Sequence, residues 1–150
     1  MASAYTIDYL ESAQDNLGCA FDFAINYYHM SLTDFWRLFT NSSYGERFSN
    51  GDFTIIEGRS GIELVYLLLN RDEPLDIEYN PVGVSQEYWL GWALAYFQRE
   101  YGISFKKIAE YLNIEDLQSL YNPYHEMDIK HFSNRVFGLI MLAKADSKSN

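Results

Sequence analysis

The chain has a single cysteine, Cys19, only three prolines, and 11 Lys and Arg against 21 Asp and Glu. A lone thiol excludes an intramolecular disulfide and fits a reducing compartment. The shortage of cations leaves a net charge of −10, and the shortage is uneven. The first 36 residues hold Asp8, Glu11, Asp15, Asp22 and Asp34 with no Lys or Arg, and none occurs between Asp72 and Gln98. Such a surface repels phosphate backbones and favours basic partners. A membrane-spanning run is also missing. The apolar stretch from Tyr88 to Phe97 falls short of the roughly 20 residues that a membrane-spanning helix needs. The first residues show neither the cationic region nor the apolar core of a secretory signal. A soluble, cytoplasmic protein with no membrane contact is the expectation.

Catalytic signatures are scarce as well. "GERFSNG" and "GRSG" contain glycines but lack the Lys-Ser/Thr ending and the strand-turn-helix setting of a phosphate loop. The one histidine cluster, "YHEMDIKH", places His125, Asp128 and His131 every third residue along an expected last helix. His125 and His131 are six apart, so the spacing differs from the zinc-protease pair, which needs the second His at the fourth following position. Near a helix start, Glu126 and Asp128 suit the helix dipole instead. Cys19 falls in an apolar helical pattern, where a small buried thiol is the simpler reading. These patterns predict no cofactor, no metal and no catalytic residue. An enzyme using His125, Glu126, Asp128 and His131 is a rival that metal analysis would test.

What the sequence does contain is helical periodicity and aromatic side chains, with thirteen Tyr and ten Phe. Apolar residues from Tyr9 to Tyr28 recur at spacings of three and four, which predicts one helix or two meeting near Gly18. "SLTD" and "SGIE" are capping signals that start helices near Ser31 and Gly61. Between them, residues 41–61 are turn-rich, with a short extended segment expected near 52–57. Residues 70–85, "NRDEPLDIEYNPVGVS", form an acidic connection. Four helices follow, over about 86–101, from Ser104, over about 114–121 and over about 125–144. The first is apolar around most of its circumference and is expected at the centre of the core, closed by Gly102 and with Gly91 and Ala95 permitting a close crossing. The predicted fold is mainly α: a single-domain bundle of about six or seven helices over residues 1–145, with a polar tail at 146–150 that is expected to fray.

"FKKIAEYLNI" reads as the first half of a helix-turn-helix, with Ile108, Ala109, Leu112 and Ile114 at packing positions and Asn113 at the turn. The second half departs from that pattern. Glu115 and Asp116 stand where a reading helix meets bases and phosphates, Pro123 cuts the segment short, and no cation occurs between Lys107 and Lys130. Affinity for DNA comes largely from cations neutralising phosphates, so nucleic acid is disfavoured as a partner.

Four blocks, "NGDFTIIEGRSGIELVY", "SQEYWLGWALAYFQ", "SFKKI" and "LYNPYHEMDIKHF", resemble blocks of a family of small uncharacterised bacterial proteins with SGIEL, EYWxGWxLAYxQ and LYxxxHExDI wording. Members are often encoded beside ADP-ribosyltransferase-like toxins. The resemblance implies a place in a toxin–antitoxin-like cluster. "GDFTIIEG" and "QREYG" depart from the family wording, and the resemblance carries no functional residue across. The expected function is a non-enzymatic protein-binding module, antitoxin-like or accessory, that masks a protein partner with a basic surface. Asp72, Glu73, Asp76, Glu78, Tyr79 and Glu87 are its candidate contact residues, and self-association stays open. The alternatives are a helix-turn-helix-like DNA-binding regulator acting through Lys106 and Lys107, and an acidic mimic of nucleic acid.

Overall fold

A computed structural model describes residues 7–81 and 83–149. The fold is mainly helical, and no strand occurs among the described residues. Helix α1 (Ile7–Asp22) continues into a π-helical turn, Phe23–Tyr27. Then follow α2 (Leu32–Thr40), α3 (Ser43–Ser49), α4 (Phe53–Ile56) and α5 (Gly61–Leu69). After the acidic connection come α6 (Gln86–Tyr101), α7 (Phe105–Tyr111), α8 (Ile114–Gln118), α9 (Tyr121–Tyr124) and α10 (Ile129–Ser149).

Serine starts five of these helices for one physical reason. Its hydroxyl accepts from an otherwise orphaned backbone N–H in the first turn, which is worth about 1 kcal/mol per cap. Ser31, Ser42, Ser60, Ser85 and Ser104 each do so, accepting from Asp34, Gly45, Glu63, Tyr88 and Lys107 respectively. The α6 helix ends at Gly102, whose φ of 64° is the left-handed conformation that glycine adopts without strain.

The α6 helix lies at the centre, packed most extensively on α1 and then on α10. Two glycines set how closely α1 and α6 approach. A Cβ on Gly18 would stand 2.9 Å from the Tyr88 carbonyl oxygen, and one on Gly91 would collide with the Leu17 carbonyl. Beside this crossing an aromatic cluster fills the interior. Phe21 meets Phe35 edge-on at 5.1 Å, and Phe105 contacts Phe39 at 5.0 Å and Phe48 at 5.6 Å. Buried Gln98 ties the layers together: its side-chain amide donates to the Ser49 carbonyl, and the Ser49 hydroxyl accepts from the Phe105 N–H.

Several local expectations are corrected. Residues 52–57 do not form an extended segment, because Asp52 accepts from the Thr54 N–H and hydroxyl and thereby caps the single turn α4, which buries Ile55 and Ile56. The turn-rich 41–61 region therefore contains two short helices. The last helix does not begin at His125. Asp128 accepts from the Lys130 N–H and starts α10 at Ile129, so Asp128 and His131 sit at its head while His125 caps α9. Pro123 belongs to α9 rather than ending a helix, and the first turn tolerates proline because its missing N–H has no intrahelical role there. Asn113, at the turn of the helix-turn-helix reading, adopts extended geometry, φ −77° and ψ 142°, as the residue before α8. Residues 146–149 continue α10, and Asn150 lies outside the described residues.

Candidate functional site

The acidic connection leaves α5 through Asn70, whose left-handed φ of 55° turns the chain sharply. It reaches α6 at Ser85. Between these points the carboxylates of Asp72, Glu73, Asp76 and Glu78 are exposed. None of the four forms a hydrogen bond or ion pair with another described residue. Leu75 sits among them with its side chain fully in solvent. An exposed leucine within a row of unpaired carboxylates gives a surface both apolar and strongly negative.

The strap is pinned at its ends. Arg71 donates a 2.6 Å hydrogen bond to the Tyr28 hydroxyl. At the other end, the Tyr79 hydroxyl donates to Asp22 Oδ2 at 2.6 Å, and the Ser85 hydroxyl donates to Asp22 Oδ1 at 2.6 Å. Asn26 adds a third donor to Asp22 Oδ1 at 2.8 Å and also reaches Glu87 Oε1 at 3.0 Å. Asp22 is only 4% exposed and has no ion-pair partner among the described residues. A buried carboxylate without a cation is tolerated when several donors converge on it, because hydrogen bonds to a charged acceptor are stronger than neutral ones.

The neighbouring aromatic rings complete the base. Tyr79 stands edge-on to Tyr27 at 4.7 Å and to Phe23 at 5.7 Å, so the π-helical turn presents its rings to the strap. The Tyr88 hydroxyl donates to Asp15 at 2.9 Å. Burial, reinforced by the hydrogen bond to Asp22, raises the Tyr79 phenol well above the ordinary tyrosine range. Burial and the bond to Asp15 raise Tyr88 likewise. Burial also raises the Cys19 thiol, opposed by its contact with Tyr79. A phenol or thiol held protonated is a donor rather than a base or nucleophile.

The six candidate contact residues thus divide into two groups. Asp72, Glu73, Asp76 and Glu78 remain free at the surface, whereas Tyr79 spends its hydroxyl on Asp22 and Glu87 is engaged by Asn26. Sequence reasoning missed Asp22, Asn26 and Ser85 as the anchor. The available signal was a lone carboxylate inside the apolar run "CAFDFA", since an acid in a buried stripe requires donors from elsewhere in the chain.

The histidine cluster does not converge. His125 stacks on Tyr121 at 4.1 Å and bonds its carbonyl through Nδ1, while Asp128 caps α10. Among the described residues, no group of three His, Cys, Asp or Glu side chains is placed to hold a metal ion, and no helix is long and apolar enough to cross a membrane. The chain matches no family model, no curated protein and no solved structure.

Proposed function

We propose that this protein is a non-enzymatic binding module that engages a basic protein partner through the strap at 71–81. The observation that carries this reading is the strap itself: four exposed, unpaired carboxylates flank a fully exposed leucine on a segment fixed to the core by Arg71, Tyr79 and Ser85. Fixed ends lower the ordering cost of association. A dense negative row steers a positive partner and suppresses negatively charged ones. Masking of a toxin encoded nearby is the finer form of this proposal, and it rests on the sequence resemblance alone.

The test compares the wild-type chain with a variant carrying D72N, E73Q, D76N and E78Q, using products of the neighbouring genes as bait. Retention of a basic partner by the wild type and its loss from the variant, with unchanged thermal stability, supports the reading. Equal retention by both proteins, or capture of none of the products, would falsify it.

A further inference from the structure

Away from the strap, α2, α7 and α8 line an open cavity of about 330 Å³. Trp36, Ala109, Leu112 and Ile114 supply its apolar wall, and Arg37 and Lys106 stand at it as cations. In a chain of net charge −10, two cations lining one concavity depart from the general surface. Most cations elsewhere have a role within the fold. Arg47 pairs with Asp52, Arg59 with Glu63 and Lys107 with Glu110, while Arg71 holds Tyr28. The Arg37 and Lys106 side chains are exposed and form no hydrogen bond or ion pair with another described residue.

The acids nearby do not neutralise them. Glu110 also lines the cavity but lies 3.4 Å from Lys107 Nζ, and Glu115 accepts from the Thr33 hydroxyl at 3.3 Å. A second observation comes from the wall. Trp36 is 5% exposed, and its indole Nε1–H is buried with no acceptor among the described residues. A buried donor left unpaired is costly. A concave surface that combines apolar side chains with a few polar groups is the usual form of a small-molecule site.

We propose that this cavity binds a small organic anion, its apolar body against Trp36, Leu112 and Ile114 and its carboxylate or phosphate held by Arg37 and Lys106. The site is independent of the strap, so either proposal can fail while the other stands. An Arg fork and a Lys point charge can together address the oxygens of one anionic group.

The test uses the full-length chain labelled with 15N and two probes of matched shape, 1-naphthoate and its neutral counterpart 1-naphthalenemethanol. Naphthoate is expected to shift the Trp36 indole N–H and the amides of residues 33–41 and 106–114 in a saturable way. R37Q and K106Q should each weaken that binding about tenfold, the size expected for losing one charge-assisted hydrogen bond. K148Q, on the exposed end of α10, should leave it unchanged. Both cavity variants lose a side chain that the fold does not use, so their spectra should retain native dispersion. Equal affinity for the neutral probe, indifference to R37Q and K106Q, an equal loss in K148Q, or no saturable shift at Trp36 would each overturn the proposal.

Discussion

The hydroxyl of Tyr79 donates a 2.6 Å hydrogen bond to Asp22, a residue 57 positions earlier and almost wholly buried. Together with the Ser85 hydroxyl, that contact joins the acidic connection to the first helix. It also changes how Tyr79 is understood: the ring anchors a surface that other residues present.

Replacing Tyr79 with Phe tests the anchor. The ring packing on Tyr27 and Phe23 is retained, while a buried carboxylate loses one of three donors. Y79F should destabilise the protein by about 1–3 kcal/mol, the cost of a buried charged group left short of a partner. Urea unfolding measures the loss, and amide exchange should quicken between residues 72 and 84. An unchanged midpoint with unchanged exchange would show that the bond contributes little.

Alkaline pH offers a second probe. Tyr79 and Tyr88 hold their protons more tightly in the folded chain than the ordinary tyrosine value of 10.0. Below that value both states are protonated and the contribution is fully present. As pH rises above it, the unfolded chain binds fewer protons than the folded one, so stability falls. Unfolding free energy should decline above about pH 10, and Y79F combined with Y88F should flatten that decline. A slope identical in the double variant would contradict the assignment.

At the α1–α6 crossing, G91A is expected to cost about 1–3 kcal/mol through overpacking. The added methyl meets the Leu17 backbone carbonyl, which cannot rotate away as a side chain could. Thermal unfolding of G91A beside G138A makes the comparison, since a Cβ on Gly138 meets nothing within 4 Å. Equal midpoints would remove the close approach as an explanation.

His29, two residues past the π-helical turn that continues α1, has a φ of 63°, a conformation that costs a side-chain-bearing residue about 1 kcal/mol. H29G should therefore stabilise the chain by several tenths of a kcal/mol, offset in part by greater freedom of the unfolded state. Calorimetry reads the sign. A destabilised H29G would mean that the imidazole contributes more than the backbone loses.

Much of the helical order was legible in the residues. Ser31, Ser60 and Ser104 announce helix starts because capping is local, and Gly102 announces a stop for the same reason. The central place of α6 followed from its apolar circumference. Local rules failed where a polar side chain chose between structures. Asp52 turned an apparent strand into a helical turn, and Asp128 moved the start of α10 past the histidine. The candidate surface was visible as a run of acids, but its base was not. Asp22 meets Tyr79 and Ser85 only after the chain has folded back across a long separation, and no periodicity encodes that meeting.

The interlocked glycine contacts have a consequence for the two halves of the chain. Helix α1 belongs to the part before the strap and α6 to the part after it, and among the described residues they pack on each other more extensively than any other two helices. Cleavage of the peptide bond after Glu73 or Glu78 would cut a link rather than dismantle the core. The nicked fragments should elute together at the size of the intact chain and separate only in denaturant.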